Sequence, residues 1–236
     1  MPDRTPKYLV RQILRRSGFD LVRFRGEFES LQAALFLEQN VSLMIDVGAN
    51  EGQYAQRMRQ LGYTHDIVAF EPIASVYAAL HRNFRGDSKF RAMQCAIGDF
   101  DGMIALHVSA NTMSSSILPM SSLHEGADPR SGYIHQDMVT VARLDSLGWP
   151  NVPTWLKVDV QGSEMSVLEG ALGLLNQVRV VQLELSLVPL YEGSALIEDV
   201  LIWARARRFE PVFIEYGFRD PRDGRMLQAE GLFVRS

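Results

Sequence analysis

The sequence predicts a single α/β domain, built on a mostly parallel β-sheet that ends in an antiparallel hairpin. Three observations lead to this prediction. Short apolar stretches typical of buried strands alternate with stretches of helical periodicity. The first of these strands runs directly into a glycine-containing turn and a helix, and the last two are separated by a turn cluster at residues 217–224. With 236 residues, the chain is long enough for one sizeable core and too short for two.

The first 40 residues differ from the rest of the chain. Basic side chains are interleaved with apolar ones at helical spacing, which predicts a basic, amphipathic helical extension over residues 1–40 and the α/β domain over residues 41–236. The apolar face of the extension is expected to cover the domain or a sister subunit. Peripheral contact with an anionic membrane surface or an acidic substrate is the alternative. A second helical stretch, residues 28–38, leads into the first strand.

Within the domain, strands and helices alternate. Strands are predicted at residues 43–47, 66–70 and 90–97, with helices from about residue 53 and over 74–84, and a β segment at 103–108. Residues 109–135 have no periodicity and are predicted to be a long loop, either a functional lid or disordered. Further strands are predicted at 138–144, 155–160, 178–185, 210–216 and 226–234, with helices at 164–175 and 195–207.

The turn after the first strand is the most informative segment. Gly48 and Gly52 allow the backbone to turn tightly and let a ligand lie against the main chain, and the helix that follows points its free N–H groups at that ligand. Glu71 ends the next strand, about 20 residues past the turn, where an acid accepts hydrogen bonds from ribose hydroxyls. These residues predict a nucleotide-type pocket, with an ordinary strand-to-helix turn as the alternative.

Two kinds of ligand fit this pocket, a dinucleotide and S-adenosylmethionine. Asn50 occupies the position of the central glycine in a dinucleotide loop, where its side chain would crowd a pyrophosphate. Asp46, inside the preceding strand, would repel phosphates but suits a cationic ligand. Because S-adenosylmethionine carries a sulfonium and an ammonium and no phosphate, the electrostatics favour it as the cofactor.

Charge and composition exclude several classes of protein. A net charge of −4 argues against a protein whose main role is to bind nucleic acid, so no nucleic-acid partner is expected. The single cysteine, Cys95, excludes an intramolecular disulfide and a cysteine-rich zinc site. No stretch approaches the ~20 apolar residues of a membrane span, and no apolar signal core follows the N-terminus. A cytoplasmic location is therefore expected, and a homo-oligomer is left open.

A second polar cluster follows a later strand. Lys157 and Asp159 are two residues apart and share one face of that strand, and Glu184 ends the next strand on the same side of the sheet. The first two could simply form an ion pair at the edge of the sheet. Burying such a pair is costly, however, and sites that accept this cost are often functional. Asp159 and Glu184 could bind a divalent cation, orient the hydroxyls of a sugar, or supply a base.

Five motifs, in order, resemble those of the FkbM-type S-adenosylmethionine-dependent methyltransferases. They are Asp-Val-Gly-Ala-Asn-Glu-Gly-Gln-Tyr at 46–54, Phe-Glu-Pro at 70–72, Ala-Ile-Gly-Asp at 96–99, Leu-Lys-Val-Asp-Val-Gln-Gly-Ser-Glu at 156–164 and Val-Leu-Glu-Gly-Ala at 167–171. The resemblance runs from about residue 43 to the C-terminus. It implies a class I, Rossmann-like methyltransferase fold over residues 41–236, a mostly parallel seven-stranded sheet with helices on both faces, and O-methylation of a hydroxyl of a sugar, glycan or natural product.

The resemblance also implies roles for individual residues of a cofactor site. The methionine part would be held by Asp46, Gly48, Asn50 and Gly52, the ribose by Glu71, and the adenine by the segment with Ala96, Ile97 and Asp99. The family commonly has Tyr or Phe where this chain has Ser163. That difference changes the shape of the pocket and bears on the substrate more than on the cofactor.

An alcohol is a poor nucleophile at neutral pH, so a base or a metal ion is expected near the reacting hydroxyl. Asp159 is the first candidate for the base or the substrate anchor, and Lys157 for stabilising the oxygen as it loses its proton. His135, with His107 and His124, is the alternative, since these histidines lie in or near the long loop.

Two other functions are left open. A methyltransferase-like fold could act as a binding or assembly module without transfer activity, although the complete set of Asp46, Glu71, Lys157 and Asp159 argues against it. A methyltransferase for a polyanion such as RNA could use the basic N-terminal segment, although the acidic net charge argues against that.

Overall fold

The computed structural model describes residues 26–236, and most of the predicted basic extension lies outside the described residues. The helices are α1 (Glu27–Glu38), α2 (Gln53–Leu61), α3 (Ala74–Asn83), α4 (Ser122–Ala127), α5 (Glu164–Glu169) and α6 (Ile197–Ala206). The strands are β1 (Leu43–Val47), β2 (Asp66–Phe70), β3 (Phe90–Met93), β4 (Ala96–Ile97), β5 (Gly102–Ser109), β6 (Tyr133–Ala142), β7 (Thr154–Val158), β8 (Val178–Ser186), β9 (Phe209–Tyr216) and β10 (Gln228–Arg235).

Seven of these strands form one sheet in the order β3-β2-β1-β7-β8-β10-β9. The pairs from β3 to β8 are parallel, and β10 runs antiparallel to both of its neighbours. This confirms the predicted parallel α/β sheet with an antiparallel C-terminal hairpin. Because the order reverses between β1 and β7, the carboxyl ends of those strands open a crevice in which open α/β sheets bind ligands.

The strand β1 lies at the centre of the sheet and is buried along its whole length. Its side chains point alternately to the two faces of the sheet. Ile45 packs in the apolar layer that includes α6, and Met44 packs in the layer that includes α1 and α2. A strand covered on both faces needs apolar side chains in both directions, which is why residues 43–47 lack the polar alternation of a surface strand. The buried Asp46 is the exception in this segment.

Two sequence-based predictions of local structure within residues 90–135 were wrong. The strand predicted over residues 90–97 is split, since β3 ends at Met93 and β4 pairs instead with β6 in a second, three-stranded sheet of order β4-β6-β5. The loop predicted over residues 109–135 is structured and contains two short 3-10 helices, α4 and the start of β6. Tertiary contacts order this segment, for example the 2.7 Å hydrogen bond that the Tyr133 hydroxyl donates to the Leu118 carbonyl.

The helix predicted over residues 164–175 is shorter than expected and ends at Glu169. Gly170 follows it, and a Cβ at that position would lie 1.9 Å from the carbonyl oxygen of Gly98. Close packing of the two main chains therefore holds the turn between β4 and β5 against the end of α5. Within residues 26–236, no helix combines the length and the apolar character required to cross a bilayer.

Candidate active site

A cavity of about 360 Å³ lies at the carboxyl ends of β1, β2, β7 and β8. One half lies over the turn after β1 and the ends of β2 and β3, with Gly48, Asn50, Glu71 and Ile97 in its wall. The segment between β5 and β6 contributes further wall residues, Thr112, Met113, Ser115 and Ile117. The other half lies toward β8 and β10 and is lined mainly by polar side chains, which are Gln53, Tyr54, Arg57, Lys157, Asp159, Gln161, Gln182, Glu184 and Glu230.

The turn after β1 is held to the end of β2 by one carboxylate. Glu71 accepts a hydrogen bond from the main-chain N–H of Asn50 at 3.0 Å and another from that of Ile73 at 2.8 Å. Asn50 adopts a left-handed backbone with φ +49°. Burial raises the pKa of Glu71 to about 7, although the two backbone hydrogen bonds oppose this. Each carboxylate oxygen retains lone-pair capacity toward the cavity.

The two glycines of the turn have different surroundings. A Cβ on Gly48 would lie 1.9 Å from the main-chain oxygen of Asp159, so the turn passes directly against the end of β7. A Cβ on Gly52 would lie 2.3 Å from the ring of Phe84 on the far side of the helix start. Gly48 therefore shapes the cavity wall, whereas Gly52 allows α2 to pack against the segment after α3 and does not line the cavity.

The structure brings together five of the eight residues predicted for the cofactor site. Gly48, Asn50, Glu71, Ala96 and Ile97 line the cavity, whereas Asp46, Gly52 and Asp99 do not. Asp46 lies behind the wall, fully buried in β1. Asp99 exchanges hydrogen bonds with Ser166 at the start of α5 and faces away from the cavity. None of these three residues lines the cavity, and their direct contact with the cofactor stays a prediction.

Lys157 lies at the centre of a buried ionic cluster. Its Nζ is 3.2 Å from Asp46 Oδ1, 3.3 Å from Asp159 Oδ2 and 3.3 Å from the carbonyl oxygen of Gly48. Burial lowers the pKa of Lys157, but the Asp46 and Asp159 carboxylates outweigh this and the net direction is upward. Three protein oxygens thus surround the three N–H groups of the ammonium. These contacts make Lys157 a brace between β1, β7 and the glycine turn, and its role toward the oxygen of a substrate stays a prediction.

A glutamine joins the two carboxylates at the ends of β7 and β8. Gln161 Nε2 donates to Asp159 Oδ1 at 2.9 Å and to Glu184 Oε2 at 2.8 Å. Burial, followed by the negative charges of Asp159, Glu164 and Glu230, raises the pKa of Glu184 well above its usual range. The amide lies where a cation bridging Asp159 and Glu184 would have to lie. Among the described residues, no group of three or more His, Cys, Asp or Glu side chains is arranged to hold a metal ion.

The predicted histidines lie outside the cavity lining. His135 is on β6 with its side chain 51% exposed, and its Nε2 is 3.5 Å from Asp137 Oδ2. His107 stacks on Tyr133 with ring centroids 4.7 Å apart, and His124 is buried against Tyr191. His135 therefore lies apart from the cavity lining, and a catalytic role for it stays an untested prediction. The end of the segment predicted to be a loop forms the start of β6, where the His135 side chain is half exposed to solvent.

Gln182 and Glu230 are among the residues of the polar half that sequence reasoning missed. Gln182 accepts from the Tyr54 hydroxyl at 2.9 Å and donates to Glu230 Oε1 at 2.7 Å. Glu230 is paired across the sheet with Glu184, so both carboxylates lie on one face. The sequence signal for Glu230 was a glutamate in the middle of an otherwise apolar predicted strand. Its position in the cavity depends on the antiparallel pairing of β10.

The strand order, the glycine turn at the crevice and the acid at the end of β2 together define a class I S-adenosylmethionine-dependent methyltransferase. The chain matches the methyltransferase FkbM domain over residues 46–211 and belongs to that family. The resemblance seen in the sequence motifs is thereby confirmed.

Individual relatives agree with this assignment. The chain is 28% identical over 181 residues to the 2-O-methyltransferase NoeI of Sinorhizobium fredii, covering 72% of this chain and 74% of that protein. It is 32% identical over 145 residues to Methyltransferase 1 of Beauveria bassiana, covering 55% and 58%. A solved structure of a provisionally assigned O-methyltransferase from Klebsiella pneumoniae has the same fold, with a TM-score of 0.51 at 12% identity over 100% of this chain and 93% of that one.

Proposed function

We propose that this methyltransferase transfers the methyl group to a hydroxyl of a sugar, glycan or hydroxylated natural product. The observation that carries the proposal is the composition of the cavity half toward β8 and β10, where Asp159, Glu184 and Glu230 lie beside amide side chains. Carboxylates and amides are suited to hydrogen-bond the hydroxyls of a neutral acceptor. The 2-O-methyltransferase named among the relatives is consistent with an oxygen acceptor.

The other half of the cavity fits S-adenosylmethionine. The main chain of residues 48–50 forms its floor, Glu71 lies at the end of β2 in the position for ribose hydroxyls, and Ala96 and Ile97 provide a small, apolar wall for adenine. The nearby carboxylates suit a ligand that carries a sulfonium and an ammonium. When bound, this cofactor supplies a methyl group on a positively charged sulfur, which an oxygen nucleophile can attack.

The protein's contribution to the reaction is mainly positioning. Holding the acceptor hydroxyl in line with the methyl group removes much of the entropic barrier to a reaction between two molecules. We propose that Asp159, whose side chain is 32% exposed toward the cavity, anchors that hydroxyl. Lys157 would then act through Asp159 and the glycine turn by keeping both in place. His135 has no part in this proposal.

The experiment that tests the acceptor class is mass spectrometry of reaction mixtures for the gain of one methyl group. The enzyme and S-adenosylmethionine are incubated with neutral oligosaccharides, hydroxylated lipids and aglycones, and RNA, and the product of any active mixture is fragmented to locate the methyl group. Methylation of a hydroxyl on the neutral acceptors supports the proposal. Methylation confined to RNA, or located on nitrogen or a carboxylate, would contradict it. A polyanion is already disfavoured by the three carboxylates of the polar half.

Asp159→Asn is expected to reduce turnover by about tenfold or more, because a neutral amide holds the acceptor hydroxyl less strongly than a carboxylate does. The affinity for S-adenosylmethionine, measured by isothermal titration, should stay within about threefold of the wild-type value, since Asp159 lies in the polar half. Loss of cofactor affinity in this variant would instead place Asp159 in the cofactor site.

Glu71→Gln is expected to weaken S-adenosylmethionine binding by about tenfold at pH 8, because hydrogen bonds to a charged acceptor are stronger than those to an amide. With a pKa of about 7, the Glu71 carboxyl is protonated below that pH and ionised above it. Wild-type affinity should therefore rise between pH 6 and pH 8 more than the affinity of the variant does. Asp46 and Lys157 also face Glu71. Because those groups and the ligand's own titration are common to both proteins, the difference between them isolates Glu71.

We expect methyl transfer to be insensitive to chelators. Gln161 already joins the two carboxylates that were the candidates for metal ligands, Asp159 and Glu184. The measurement is the initial rate with and without EDTA, after the purified protein has been dialysed against it. A rate that falls with EDTA and returns with Mg²⁺ would restore the divalent-cation hypothesis.

A further inference from the structure

The two carboxylates joined by Gln161 have different hydrogen-bond partners. Asp159 is engaged at both oxygens, by Lys157 Nζ at 3.3 Å and by Gln161 Nε2 at 2.9 Å. Glu184 accepts from Gln161 at Oε2, and none of the hydrogen bonds or ion pairs of the described residues engages its Oε1. An oxygen that a lysine already neutralises is a weak proton acceptor, whereas a carboxylate surrounded by other carboxylates is a stronger one.

Glu184 is the carboxylate that is surrounded by other carboxylates. Its cross-strand partner on β10 is Glu230, and like charges directly opposite each other on a sheet are destabilising. The titratable groups that face it are Asp159 after β7, Glu164 on α5, Glu230 on β10 and Tyr191. The carboxylates among them, together with burial, make Glu184 retain a proton more readily than an ordinary glutamate. Glu184 also lines the cavity, so an acceptor can reach its free oxygen.

The orientation of the Gln161 amide is determined by its surroundings. Gln161 Oε1 lies 2.8 Å from the Tyr191 hydroxyl, and the main-chain oxygen of Gln161 accepts from Ser116 Oγ at 2.6 Å. The residue has a left-handed backbone with φ +58°, a conformation that is strained in a residue other than glycine. A Cβ on the following Gly162 would lie 2.9 Å from Tyr191 Cβ. Tyr191 therefore packs on this turn and keeps the NH₂ group directed at both carboxylates.

From this arrangement we infer that Glu184 is the general base that takes the proton of the acceptor hydroxyl, and that Gln161 and Tyr191 are positioning residues for it. The inference rests on the proposed transfer to a hydroxyl. As the acceptor oxygen forms its bond to the methyl carbon, its proton passes to Glu184 Oε1, and the carbon–sulfur bond breaks with its electron pair remaining on sulfur. The products are the methyl ether, the neutral thioether and protonated Glu184. The proton is later released to water. Asp159 keeps its Lys157 contact throughout and anchors the acceptor.

The inference predicts that two variants shift the acid limb of the pH profile in opposite directions. Asp159→Asn removes a negative charge beside Glu184, so the acid limb of kcat/KM should move to lower pH by about one unit while the maximum falls. Tyr191→Phe removes the hydroxyl that holds Gln161 Oε1, so the Gln161 amide can turn its oxygen toward the carboxylates. An oxygen there disfavours the ionised form of Glu184, and the acid limb should therefore move to higher pH. Glu184→Gln should lower the maximal rate by about 100-fold or more and abolish the acid limb.

The test combines these profiles, measured with an acceptor from the mass-spectrometry panel, with an acceptor-independent measurement. Infrared pH titration of the S-adenosylhomocysteine complex follows the carboxylic acid band. A component titrating above the usual glutamate range should disappear in Glu184→Gln, shift to lower pH in Asp159→Asn, and persist in Glu51→Gln, an exposed control outside the cavity lining. Thermal melting checks that each variant is folded.

The outcomes separate the inference from the proposed function. If Glu184→Gln is folded, binds S-adenosylhomocysteine and retains turnover within about threefold, the inference is overturned even when a hydroxyl acceptor is confirmed. Because burial also raises the pKa of Glu71, to about 7, the comparison is the difference between wild type and Glu184→Gln, and a difference without any component above the usual glutamate range would also overturn the inference. If the panel shows methylation only at nitrogen or a carboxylate, the proposed function fails and the inference fails with it. A lost infrared component together with a lost acid limb supports the inference.

Discussion

Lys157→Met is expected to lower the free energy of unfolding by about 3–5 kcal/mol, the usual effect of removing one partner of a buried ion pair. The variant leaves Asp46 fully buried beside an apolar side chain and leaves Asp159 without its counter-charge. Methionine preserves most of the stem volume, so the loss reports the charge rather than a cavity. The measurement is chemical denaturation at pH 7 without cofactor.

The matched control is Lys89→Met, which removes the exposed pair between Lys89 and Asp66. Its charged atoms are 3.3 Å apart, similar to the buried contacts, but the two side chains are 58% and 56% exposed. Water already solvates both charges, so the change should be within about 1 kcal/mol. Adding Asp46→Asn to Lys157→Met should recover part of the lost stability because it removes the unpaired charge. Equal stability of the two lysine variants would show that the buried cluster does not brace the sheet.

Gly48→Ala is expected to lower the free energy of unfolding by more than about 4 kcal/mol or to displace the turn, because two costs are combined. The residue has φ +76°, and its new Cβ would lie 1.9 Å from the main-chain oxygen of Asp159. The two nearest atoms, the main-chain oxygen and carbonyl carbon of Asp159, belong to the backbone and cannot move away as a flexible side chain could. Because displacement of the turn moves the main chain of residues 48–50, S-adenosylmethionine binding should be lost even in the fraction that folds. Calorimetric titration and denaturation measure the two effects.

Gly62→Ala is the control for backbone strain alone. Gly62 has φ +104° at the end of α2, and a Cβ there would meet no atom within 4 Å. The substitution should cost about 1–2 kcal/mol, the usual penalty for a left-handed residue with a side chain. It should leave cofactor affinity unchanged, since Gly62 does not line the cavity. If Gly48→Ala lowers the free energy of unfolding and the cofactor affinity no more than Gly62→Ala does, the close approach of the turn to β7 does not constrain the site.

The core of the site could be predicted from the sequence because its signals are local. The turn at 46–52 and the acid at residue 71 each follow one apolar strand, and open α/β sheets gather strand ends at one edge. Lys157, Asp159 and Glu184 were found by the same rule and all line the cavity. Asp46 was chosen for its charge beside the turn and Asp99 from its motif, and the direction of a side chain within a motif depends on the packing behind it. Neither residue lines the cavity.

The sequence by itself determined the strands of the large sheet, its antiparallel end and the family, because apolar periodicity and turn residues are properties of short segments. Only the tertiary structure decided that residues 109–135 are ordered, that His135 faces solvent and that Glu230 lies opposite Glu184. It also decided that Gln161, rather than an ion, joins Asp159 to Glu184. These features depend on contacts between residues far apart in the chain, where the pairing of strands and the dielectric of the buried site set both geometry and charge.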